Sequence, residues 1–100
     1  MMIDPFQPAA AGSTTCSVGV ADAFFAIPGN GECLELNNLG TATIFVETDG
    51  VTISTVANSY PIQPGHCKIV KRLPNPGTPG IRAISTVAAQ SLIVSVGNGI

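Results

Sequence analysis

The sequence predicts an all-β protein: an antiparallel β-sandwich of about seven or eight short strands, jelly-roll or immunoglobulin-like, behind an extended N-terminal arm. Three observations predict it. Apolar and polar residues alternate with a period of two from Thr14 to Val96. Glycines and prolines interrupt that alternation at roughly the 8–12-residue spacing of sandwich strands. No ten-residue stretch carries a helical stripe.

Residues 1–12 hold Pro5, Pro8, three alanines and Gly12 without any period, and read as the arm; residues 13–100 form the single domain. Thr14 to Val20 and Ala23 to Ile27 read as a first strand pair. Cys33 to Leu39 puts Leu34 and Leu36 on one face and Cys33, Glu35 and Asn37 on the other. Ala42 to Glu47 is rich in β-branched and aromatic residues. The turn-forming Asn38-Leu39-Gly40-Thr41 between these two runs predicts a hairpin. Asp49-Gly50 gives another turn signal, after which Val51 to Ser54 alternates again. Ser59 to Gly65 reads as a loop, because its two prolines lack donors that a central strand needs. His66 to Lys71 is a strand, and Leu73 to Gly80 a stiff, proline-rich loop. Ile81 to Thr86 and Leu92 to Val96 complete the series, with Val87 to Gln90 as their connection.

Composition narrows the function. Charged residues make up 10% of the chain, against about 25% in an ordinary soluble domain. Hydrophobic residues make up 45%, yet the longest apolar run is Ala23 to Ile27, far short of the about 20 residues of a membrane helix. The N-terminus has neither the basic nor the apolar region of a signal peptide. Four basic residues and a net charge of −2 argue against specific nucleic-acid binding. An apolar surface this poor in charge is expected to be covered by partners. All six acids (Asp4, Asp22, Glu32, Glu35, Glu47, Asp49) precede residue 51, and all four bases (Lys68, Lys71, Arg72, Arg82) follow it. Either early and late strands pair across the sheet, or the surface has two poles.

The chemistry-bearing residues predict no catalytic centre, metal site, cofactor or small-molecule substrate. Cys16, Cys33 and Cys67 are odd in number and lack a Cys-x-x-Cys spacing, which fits reduced thiols. His66 and Cys67 are adjacent and on a strand point to opposite faces, so they make no nucleophilic pair. Glu32 with Glu35, and Glu47 with Asp49, read as solubilising turn residues and not as acids facing each other across a cleft. One Tyr and no Trp give a sugar-binding module little to stack on.

Taken in order, the Pro-Phe-Gln-Pro-Ala-Ala arm at 5–10, Leu34 to Val46, the Tyr60-Pro61-Ile62-Gln63-Pro64-Gly65 loop, Ile81 to Ile84 and the closing Leu92 to Ile100 resemble a group of short virion structural proteins of tailed phages and prophages. The resemblance implies a capsid cement (decoration) protein. It would be assembled in the host bacterial cytoplasm, bound to the major capsid protein on the capsid surface, and self-associating. A head–tail connector, a tail or fibre component, and a small carbohydrate-binding or adhesion module are the alternatives. The interface residues expected under this reading are Pro5, Phe6 and Pro8, adding a strand to a neighbour's edge. The basic Lys68, Lys71, Arg72 and Arg82 would meet acidic surface.

Overall fold

The computed structural model describes residues 6–29, 31–72 and 77–98. Among them are eight strands and no helix: β1 (Gln7–Val18), β2 (Ala23–Ala26), β3 (Cys33–Asn38), β4 (Ile44–Glu47), β5 (Tyr60–Ile62), β6 (Cys67–Lys71), β7 (Gly80–Ser85) and β8 (Gln90–Asn98). They form two antiparallel four-stranded sheets, ordered β1-β8-β3-β6 and β2-β7-β4-β5. Alternation along each strand turns one face of each sheet inward. Cys16, Val18, Leu34, Leu36, Leu92, Val94 and Val96 of the first sheet meet Ile44, Val46, Ile62, Ile81 and Ala83 of the second, with Ile27 between. Burying each of the larger side chains contributes roughly 1.5–3 kcal/mol.

The pairing decides between the two topologies the sequence left open. β1 pairs with β8, β2 with β7, β3 with β6 and β4 with β5. The chain is therefore one long hairpin rolled so that its two halves share both sheets, which is the eight-stranded jelly roll. An immunoglobulin-like sandwich keeps its first two strands side by side in one sheet; here they lie in different sheets.

Several expectations change accordingly. β3 and β4 are not a hairpin, because residues 39–43 carry the chain from one sheet to the other. Thr14 to Val20 and Ala23 to Ile27 likewise give strands β1 and β2 but no pair. Val51 to Ser54 is loop, and Tyr60–Ile62 is strand despite Pro61. An edge strand tolerates proline because its outer donors go unused, and β5 is an edge. Residues 73–76 of the proline-rich loop lie outside the described residues.

The arm differs too. From Gln7 the chain is already in β1, with Gln7 opposite Asn98 and Pro8 opposite Gly97. Register then breaks until Ser13 pairs with Ser95, so residues 9–12 face Val96 alone in an enlarged bulge. Gly97 makes this closure possible. A Cβ there would stand 2.1 Å from the Gln7 carbonyl oxygen and 2.8 Å from the Phe6 ring. Gly97→Ala should cost about 1–3 kcal/mol through overpacking, or release residues 6–8 from β8. Limited proteolysis reads the second outcome; unchanged stability together with unchanged protection would contradict this packing.

Candidate interaction surface

The described residues among those expected at an interface are spread over different parts of the fold. Pro5 lies outside the described residues. Phe6 packs on Gly97 of its own domain and Pro8 pairs with the same residue of β8, so both lie with the first sheet and not in a detached arm. Lys68 and Lys71 are exposed on β6, an edge of the first sheet. Being three apart on a strand, they face opposite sides. Arg72 turns inward to the β2–β3 connection, where its guanidinium donates to the carbonyls of Ile27 and Gly29. Arg82 is on the other sheet and pairs with Asp22. The basic cluster seen in the sequence is therefore dispersed, and two of its four members are structural. Reversing the charge of Arg72 or Arg82 would damage the fold before it tested any interface.

Asp22 is the centre of the arrangement that the sequence did not disclose. Arg82 alternates with the buried Ile81 and Ala83, so it projects from the outer face of the second sheet. There its Nε donates to Asp22 Oδ2 at 3.0 Å, and a second guanidinium nitrogen donates to the same oxygen. The other carboxylate oxygen accepts from the Ser54 amide at 2.8 Å and from its hydroxyl at 2.5 Å. One carboxylate thus joins β7 to the long β4–β5 loop, residues 48–59. This pair joins an early acid to a late base within the chain, one of the two arrangements that the segregated charges left open.

Hydrogen bonding from Arg82 is the main cause that holds the Asp22 carboxyl down at about 2, with Ser54 adding to it against the opposing effect of burial. An unfolded Asp titrates near 3.9. The native pKa is the lower one, so this contribution is complete above about pH 4 and is lost as pH falls toward 2. Asp22→Asn should therefore be less stable than the parent at neutral pH, and the gap should narrow between about pH 4 and 2. Urea midpoints of both proteins across that range check it, and a gap independent of pH would contradict it.

The loop is fixed along its length. Asp49 Oδ1 accepts from the amides of Val51 and Thr52, both at 2.9 Å, and Oδ2 accepts from the Thr52 hydroxyl at 2.6 Å. These bonds hold the Asp49 carboxyl below its ordinary range, the Thr52 hydroxyl first. Ser59 closes the far end: its hydroxyl donates to Glu47 Oε2 at 2.7 Å and accepts from the Thr55 amide at 2.8 Å. On this fixed loop stand Val51, Ile53 and Val56, with 58%, 64% and 46% of their surface exposed. Exposed aliphatic side chains on a braced loop are pre-ordered for contact.

The two outer faces differ. That of the first sheet carries Ser13, Thr15, Ser17, Ser91 and Ser95 around the half-buried Ile93. The second carries Phe24, Phe45 and Ile84 beside Arg82 and Glu47. The Phe24 ring is partly exposed and lies against Gly80, where a Cβ would come 2.6 Å from its Cζ.

All three cysteines are free. Burial pushes the Cys16 thiol up to about 11. That of Cys67 is also raised, by burial first and then by Glu35, the reverse of nucleophile activation. An open groove of about 420 Å³ is lined by Val46, Tyr60, Pro61 and Val70 among others, with Glu47 its one carboxylate. Among the described residues no three His, Cys, Asp or Glu side chains gather to hold a metal. Nor is any helix there long and apolar enough to cross a membrane. No family model, curated protein or solved structure matches the chain.

Proposed function

We propose that this protein is a capsid cement (decoration) protein of a tailed phage, bound to the major capsid protein on the outer shell. The observation that carries the reading is the braced loop 48–59 with Val51, Ile53 and Val56 turned to solvent. Alongside it stands the ordered resemblance to small virion proteins. A jelly roll also occurs in lectin domains and cupins, so the fold by itself assigns nothing. Binding through this surface needs little desolvation of charge, since Asp22, Arg72 and Arg82 already satisfy one another or the backbone. The contact is apolar and non-covalent, and an aliphatic patch of this kind gains affinity through burial against a matching apolar surface.

Co-sedimentation tests the reading. Purified protein mixed with phage heads that lack it should pellet with them to a saturating ratio and raise the temperature at which they rupture. Protein left wholly in the supernatant would overturn the proposal. Binding to tails alone would move the protein to the connector or fibre class.

A further inference from the structure

We propose that the free edge of β1 is a self-pairing edge, by which two copies join antiparallel along residues 13–17 and fuse their first sheets into one of eight strands. This gives a surface to the self-association named above and rests on that part of the reading alone. Among the described residues the four sheet edges are β1 and β6 in the first sheet, and β2 and β5 in the second. Three of them resist strand addition. β5 has three residues, one of them Pro61; β2 has four residues; and β6 carries the exposed Lys68 and Lys71. Short length, proline and edge lysines are the usual deterrents to such pairing.

β1 lacks these deterrents over its regular part. Ser13 to Val18 stays in unbroken register with β8, and no charged residue occurs between Gln7 and Ala21. The bulge at residues 9–12 ends the regular edge on one side and Gly19 follows it on the other. A second copy is the occupant because the strand is complementary to itself. About a two-fold axis at Thr15, residues of like facing meet: Ser13 opposes Ser17, Thr15 opposes Thr15, and Thr14 opposes Cys16. Hydroxyls then face hydroxyls on the solvent side, a favourable cross-strand combination. The Ser13–Ser95 hydroxyl contact at 2.8 Å already displays that combination within one copy. On the other side Cys16 and Val18 carry the buried surface up to the junction.

The test uses the full chain with Cys67→Ser, which removes the exposed thiol. Sedimentation equilibrium across the micromolar range should give a dimer. Thr15→Lys, at an exposed position, should shift it to monomer while keeping it folded, with a thermal midpoint that no longer rises with protein concentration as the parent's does. Thr15→Cys should form a covalent dimer on oxidation, since directly opposed strand residues fall within disulfide reach. A monomeric parent, or a dimer indifferent to Thr15→Lys, would overturn the proposal. Should the lysine variant fail to fold, absence of the Thr15→Cys crosslink would overturn it. Neither result bears on shell binding, and failure to bind shells would leave the dimer measurement intact.

Discussion

Asn38→Ala is expected to destabilise the protein by about 3 kcal/mol, and to lower its thermal midpoint by roughly 12–24 °C. Asn38 ends β3 and is completely buried. Its Nδ2 donates to the carbonyls of Ala42 at 2.9 Å and Ile62 at 2.8 Å, while its Oδ1 accepts from the Gly40 amide at 2.8 Å. Its backbone also bonds His66 and Gly65. One side chain therefore binds the first sheet to β5 of the second and shapes the crossing between them. Gln90 works beside it, its Oε1 accepting from the amides of Thr41 and Ala42. Alanine at 38 leaves three backbone groups without these partners, each costing about 1–3 kcal/mol where burial is complete and less where it is partial. Asn37→Ala, one residue away and half-buried, should change stability by no more than about 0.5 kcal/mol. Chemical denaturation of the two variants makes the comparison, and equal losses would show that the buried amide does not hold the sheets together.

The second large effect is on binding. Replacing Val51, Ile53 and Val56 together with serine should weaken association with phage heads by about a hundredfold. Each side chain is about half exposed, so burying the remainder against a partner contributes roughly 1 kcal/mol apiece. Three such contributions amount to about a hundredfold at 1.4 kcal/mol per factor of ten. Stability should hold within about 0.5 kcal/mol, because the loop is fixed by Asp49, Asp22 and Ser59 and not by these side chains. Co-sedimentation titrations measure the loss; unchanged affinity would remove the loop from the interface.

Strand identity was legible in the sequence because period-two alternation depends only on local burial, and β3, β4, β6, β7 and β8 fall where it placed them. Strand partnership was not. Asn38-Leu39-Gly40-Thr41 has the chemistry of a hairpin turn, yet in the structure the same residues turn a corner between sheets. What decides is the remote carbonyl of Ile62 and the side chain of Gln90, which no local pattern reveals. Val51 to Ser54 alternates like a strand because Ser54 is drawn down to Asp22 while Val51 and Ile53 stay outside. The segregation of acids and bases allowed pairing between early and late residues without naming Asp22 and Arg82 as the partners. Proximity in sequence misled for Lys68, Lys71, Arg72 and Arg82, since the two lysines face opposite sides of β6, Arg72 turns back to the carbonyls of Ile27 and Gly29, and Arg82 stands on the other sheet. The arm was misjudged because Ala9 to Gly12 lack alternation, being a bulge within β1.

Cryogenic electron microscopy of phage heads with and without the purified protein tests the central claim most directly. The account predicts added density on the outer shell, over junctions between major capsid protein subunits, with loop 48–59 facing the shell. Shells identical in the two images, or density confined to the portal or tail, would contradict it.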